Sequence, residues 1–147
     1  MPDNTQNLVD LLLQVWNSGS AEAVTRLYAE NAERRDPNSS TPQRGAQEIL
    51  DFVTEVRTGF PDFRLQIRQR LVEGNHIATE WTCVGTHRGV FQGIPPSGNR
   101  VEIDGMTLGR VENGKIIEEH AYFDRLSLLQ QLGVAPAAAQ AVSGSAS

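Results

Sequence analysis

Cysteine is nearly absent: Cys83 is the only one in 147 residues. An internal disulfide is therefore excluded, and a reducing compartment is the default expectation. No apolar run reaches the roughly 20 residues that a membrane-spanning helix needs. The opening Met1-Pro2-Asp3-Asn4-Thr5-Gln6 is polar and has no basic segment of the signal-peptide kind, so a cytoplasmic location is expected. Positive charge is in deficit, 13 Lys and Arg against 18 Asp and Glu, a net −5. That balance argues against nucleic acid or an anionic membrane as the main partner. His76, His87, His120 and Cys83 show no metal-ligand spacing, so no metal is expected. Gly89, Gly93 and Gly98 do not precede a helix, which excludes a phosphate-cradling loop. No serine or cysteine sits in a nucleophile motif. There is no internal repeat and no boundary between two domains.

What is present is ordinary for a soluble globular protein, with 39% hydrophobic and 21% charged residues, enough for one domain with its own core. Helical periodicity comes first. Leu8, Leu12 and Trp16 share a stripe between Asn7 and Trp16, and Ser20 is placed to cap a second helix over Ala21 to Tyr28. Ala32 to Pro37 reads as a short strand closed by a turn, and Asn38 to Pro42 as loop. A third helix is expected over Gly45 to Thr58, ended by Gly59-Phe60-Pro61. From Asp62 the period becomes strand-like, with long strands expected at Phe63 to Glu73, His76 to Arg88, Val101 to Arg110 and Lys115 to Phe123. A tight hairpin is expected at Glu112-Asn113-Gly114. Leu126 to Leu132 reads as a short helix, with Asp124 as its N-cap. Residues 1–134 form the expected domain, and 135–147, rich in Ala, Ser and Gly, a disordered tail. Helices followed by a meander of antiparallel strands give an α+β fold. A curved sheet with N-terminal helices across its concave face encloses a mostly apolar pocket suited to a small molecule.

The strand Val101 to Arg110 carries a carboxylate, Asp104, between Ile103 and Met106. If that face is buried, Asp104 is an acid in an apolar pocket and can hold a proton near neutral pH. The alternative is that it points to water or caps a bulge at Gly105. Asp36 precedes Pro37, where an Asp-Pro turn is the structural alternative to a catalytic role.

Several segments resemble the nuclear-transport-factor-2-like superfamily, which implies a cone-shaped α+β fold. Leu27 to Pro37 and Gly45 to Phe52 resemble the ketosteroid isomerase branch. In that branch the aspartate before the proline is the general base, so the resemblance implies that role for Asp36. Ile103-Asp104-Gly105-Met106 resembles the segment bearing that branch's protonated oxyanion-hole aspartate, which implies the acid role for Asp104. The branch's oxyanion-hole tyrosine corresponds to Leu12, a departure. Gly85-Thr86-His87-Arg88-Gly89, Gly93 to Gly98, Arg110 to Ile116 and Gln130-Gln131-Leu132-Gly133 resemble the SnoaL-like polyketide cyclases. That resemblance implies a cyclase of secondary-metabolite (antibiotic) biosynthesis. Its ester cyclases carry an acid/base aspartate where Ala121 stands. Limonene-epoxide-hydrolase-like members carry that aspartate too, with an arginine and an aspartate at the positions of Gly85 and His87.

The isomerase-type pair on this chassis also resembles pyran-forming dehydratase–cyclases. The resemblance implies a cofactor-free enzyme with Asp36 as base and Asp104 as acid, dehydrating a polyketide chain and closing an oxygen heterocycle. Alternatives are a carbocycle-forming [4+2] cyclase acting through pocket shape, a ketosteroid-isomerase-like isomerase, and a non-catalytic binding module. The expected partners are a polyketide substrate, free or carrier-bound, and a second copy in a homodimer. Leu12, Trp16, Tyr28, Trp81, His87, Met106, Glu119 and Phe123 are the expected pocket residues. Trp16 and Tyr28 have core packing as their alternative, His87 a structural strand-end role, and Glu119 a salt bridge. His120 and Tyr122 are expected to face away.

Overall fold

The computed structural model describes residues 5–134, so the tail expected at 135–147 lies outside the described residues. Helix α1 runs Thr5–Ser18 and α2 Ala21–Leu27, followed by strands β1 (Tyr28–Arg35) and β2 (Gln43–Arg44) and helix α3 (Gly45–Gly59). Four long strands follow: β3 (Arg64–Glu73), β4 (His76–Thr86), β5 (Arg100–Glu112) and β6 (Lys115–Phe123). Helix α4 (Arg125–Gln131) ends the described chain. Ser20 caps α2, its hydroxyl accepting from the Ala23 N–H at 3.1 Å. Asp124 caps α4 by accepting from the Ser127 N–H at 3.0 Å. Both oxygens satisfy donors that the first turn of a helix leaves free.

The six strands form one sheet in the order β2-β1-β6-β5-β4-β3. Strands β3 to β6 are an antiparallel meander. The expectation of an antiparallel sheet needs one correction, because β1 lies parallel to β6. The helical crossover of α3 and the intervening meander make that pairing possible. The short β2, in a stretch that reads as loop and helix start, adds an antiparallel edge to β1. Asn113 (φ 54°) and Gly114 (φ 80°) both sit in the left-handed region that a two-residue hairpin requires between β5 and β6.

Alternation sets the two faces. On β5, Val101 and Ile103 are buried while Glu102 and Asp104 are exposed. On β4, Ile77, Thr79 and Trp81 are buried, and on β6, Glu119 and Ala121. A register shift between Arg110 and Val111 lets Ile116 and Glu119, three residues apart, both face inward. Trp81 lies across from Gly105 on β5. A Cβ at Gly105 would come within 2.5 Å of the Trp81 ring, so the missing side chain is what lets the indole lie flat on the sheet. Leu8, Leu11, Val15, Val24, Ile49 and Val53 close the helical layer over the concave face. No helix among the described residues is long and apolar enough to cross a membrane.

Candidate active site

Between the helices and the concave face of the sheet is a chamber open to solvent at one side. Leu12 and Trp16 of α1, Phe52 of α3, Trp81 of β4 and Phe123 of β6 are part of its wall. Phe91, on the connection between β4 and β5, contributes another part and packs edge-on against Phe60 at 5.3 Å. Trp81 and Phe123 meet at 6.1 Å. Nearly all of this surface is apolar.

One charged cluster interrupts it. Strand β1 brings Arg34 to the inner face, and Asp36, two residues on, keeps the same side just past the strand end. Arg34 Nη1 donates to Asp36 Oδ2 and, at 3.0 Å, to Gln43 Oε1. Arg34 Nε donates to Glu119 Oε1 at 3.1 Å. The parallel pairing of β1 with β6 places Arg34 directly beside Glu119. Tyr28 completes the set, its hydroxyl donating to Glu119 Oε1 at 2.6 Å. Asp36 Oδ1 accepts from the Asn38 N–H at 2.7 Å. The guanidinium carbon lies 5.2 Å from the ring centres of both Trp16 and Phe52, within cation–π range. The aromatic wall thus holds the cation in place.

The electrostatics follow from one cation serving two acids. Burial raises the Glu119 pKa above the usual glutamate range and outweighs the opposing pull of Arg34 and the Tyr28 hydrogen bond. Burial, and then Glu119, push the Tyr28 phenol well above 10.0, so it stays a donor. Burial works against the Arg34 charge, but Glu119 and Asp36 together raise its pKa. The arrangement sets two buried carboxyl groups, Glu119 with its pKa raised and Asp36, on either side of one fixed positive charge.

Several expected site residues lie elsewhere. The Asp104 side chain is 70% exposed, whereas that of Asp36 is fully buried. Asp104 belongs to the outer face, where it accepts from Thr82 Oγ1 at 2.7 Å and lies 3.5 Å from Arg68 Nη1. The sheet separates it from Asp36, so the expected pair does not share a chamber. Met106 has the same parity and is also on the outer face, 45% exposed. Tyr28 is buried behind Glu119 and is not part of the chamber wall.

His87 is fully buried but also outside that wall, stacked on Phe60 at 5.4 Å. Its Nδ1 accepts from the Ser97 N–H at 3.2 Å and lies 3.0 Å from Ser97 Oγ. That bond puts the ring proton of a neutral imidazole on Nε2. Leu12, Trp16, Trp81, Glu119, Phe123 and Asp36 do line the chamber. Arg34 and Gln43 were not anticipated. The available signal was parity, since Ala32, Arg34 and Asp36 alternate on one side of β1. Among the described residues, no group of three or more His, Cys, Asp or Glu side chains is placed to hold a metal ion.

Comparison with known proteins adds to this geometry. The sequence model for SnoaL-like polyketide cyclases matches residues 6–132. No curated protein sequence matches the chain. Among solved structures, TsrD from Streptomyces laurentii is 24% identical with a TM-score of 0.81, covering 91% of this chain and 99% of its own. IdmH from Streptomyces antibioticus, described as a presumptive polyketide cyclase, is 28% identical with a TM-score of 0.74, covering 88% and 98%. A Catenulispora acidiphila protein described as having a ketosteroid-isomerase-like fold is 19% identical with a TM-score of 0.74, covering 88% and 93%.

Proposed function

This chain belongs to the SnoaL-like polyketide cyclases, and on that premise we propose that it closes a ring on a polyketide chain folded inside the apolar chamber. The observation that carries the reading is the Asp36–Arg34–Glu119 cluster in a wall that is otherwise apolar except for Asn38 and Thr107. An apolar chamber gains roughly 25 cal/mol for each Å² of substrate hydrocarbon it takes from water. It can also hold a flexible chain in a reactive shape.

The chemistry we assign is dehydration followed by oxygen-heterocycle closure. Asp36 takes the proton next to a carbonyl, and Arg34 stabilises the negative charge that develops on its oxygen. Glu119 gives its proton to the leaving hydroxyl, which departs as water. A second hydroxyl of the chain then adds to the resulting enone and returns a proton to Glu119. Asp36 returns its proton to carbon, and both acids are restored. Glu119 thus takes the acid role that the sequence suggested for Asp104. The substrate, free or carrier-borne, belongs on this reading to secondary-metabolite biosynthesis. We assign the homodimer contact to the outer sheet face, where Met106, Leu108 and Tyr122 are exposed.

Incubation with a linear β-hydroxy-ketone thioester, followed by mass spectrometry, tests the assignment. Asp36→Asn and Glu119→Gln are each expected to lower turnover by at least ~10²-fold, while Asp104→Asn stays within about 2-fold. A second reading is favoured by one feature: Arg34 engages both chamber acids, in a wall that is otherwise apolar except for Asn38 and Thr107. On that reading the pocket closes a carbocycle by [4+2] addition, mostly through shape. Losses below ~10-fold in both chamber variants, with product still formed, would select it.

A further inference from the structure

The connection between β4 and β5 turns back on itself at Gln92-Gly93. The Phe91 N–H donates to the Ile94 carbonyl at 3.1 Å, and the Ile94 N–H donates to the Phe91 carbonyl at 2.8 Å. Gln92 (φ 49°) and Gly93 (φ 77°) are both in the left-handed region, as a two-residue turn of this kind requires. Glycine adopts that backbone freely, and asparagine or aspartate more readily than other residues. Glutamine is an outlier there, and such an outlier asks what its side chain does.

The Gln92 side chain reaches a different part of the chain. Its Nε2 donates to the Asn38 carbonyl at 3.2 Å. Asn38 is the residue whose N–H donates to Asp36 Oδ1 at 2.7 Å, while Arg34 holds the other carboxylate oxygen. Gln92 therefore grips the turn that orients the Asp36 carboxylate. Its own turn is fastened to α3. Glu55 accepts from the Gln92 N–H at 3.2 Å, and the Arg88 and Gly89 N–H groups donate to the Gly59 carbonyl at 2.9 and 3.1 Å. A Cβ at Gly89 would stand 2.2 Å from the Thr58 carbonyl oxygen, so only glycine lets the connection lie this close. Phe91 and Asn38, the neighbours of this contact, both line the chamber.

We propose that Gln92 is a positioning residue for Asp36: through Asn38 it fixes the direction in which the carboxylate meets the substrate. The inference rests on the role of Asp36 as base and deepens it. Misplacing a reacting group by ~1 Å can cost about 10²-fold in rate. A hydrogen bond one residue removed from the base therefore acts on turnover without touching the substrate.

Two variants separate the side chain from the backbone that carries it. Gln92→Asn keeps the left-handed turn, which asparagine favours, but is one methylene shorter and loses the Asn38 carbonyl. Gln92→Met keeps the length and loses the donor. With the β-hydroxy-ketone thioester as substrate, each is expected to lower kcat at least ~10-fold with KM within about 2-fold. Gln92→Lys, which restores a donor of sufficient reach, should recover most of that loss. Carboxyl 13C NMR of Asp36 and amide exchange at Asn38 need no turnover. Gln92→Asn and Gln92→Met should both move the Asp36 signal and speed Asn38 exchange at least ~5-fold, while exchange in the centre of β4 is unchanged. Thermal melts verify that each variant is folded. Wild-type kcat in Gln92→Asn, an unmoved Asp36 signal, or a loss of kcat that Gln92→Lys does not reverse would overturn the positioning role. Altered Asp36 and Asn38 signals in a protein that closes no ring would count against the cyclase assignment alone.

Discussion

Glu119 is the residue whose surroundings say most about what the chamber does. Its carboxyl shares one guanidinium with Asp36, and burial lifts its pKa above the ordinary 4.5. A raised carboxyl pKa gives stability that is fully present below the unfolded value and lost as pH rises through the folded one. Urea unfolding of wild type and Glu119→Gln at a series of pH values should therefore show the variant gaining on the wild type from about pH 4.5 upward. A difference independent of pH would mean that the native state holds no extra proton there. Asp104 carries the opposite lesson. Val101 and Ile103 are inward, so simple alternation puts Asp104 outward with Glu102. That parity was legible in the sequence. Resemblance to a catalytic segment pointed the other way, and the geometry of the strand decided.

At the scale of elements, the connection between β4 and β5 matters most, because it supplies Phe91 to the chamber wall. His87 fastens it. The His87 N–H donates to the Asn99 carbonyl at 2.9 Å, and the His87 carbonyl accepts from the Gly98 N–H at 2.8 Å. The ring adds the Ser97 bonds and the Phe60 stack. His87→Ala should cost about 1–3 kcal/mol, as loss of a buried hydrogen-bonded ring does. It should also speed amide exchange at Ser97 by at least ~10-fold, while exchange in the centre of β5 changes only as far as global stability does. Equal acceleration everywhere would show that the ring supports the core and not the connection. The helices and the four-strand meander were readable from periodicity and turn residues. The place of β1 was not, since parallel pairing joins residues about 85 positions apart and leaves no local pattern.

For the molecule as a whole, the chamber and the core are one surface, so occupancy and stability are linked. A rigid apolar ketone that fits the chamber, at 100 times its Kd, should add about 2.7 kcal/mol to the unfolding free energy. It should also change the fluorescence of Trp16 and Trp81, both of which line the wall. A saturating ligand that quenches the tryptophans without raising Tm would place it outside the folded chamber. By itself the sequence determined the α+β class, most of the elements and most of the apolar lining, because hydrophobic period and turn chemistry act over a few residues. Only the tertiary structure decided which acids share the chamber. Charge partners are chosen by strands meeting across the sheet: Arg34 meets Glu119 because β1 lies beside β6, and Asp104 is lost to the outer face because β5 pairs in the register that buries Ile103.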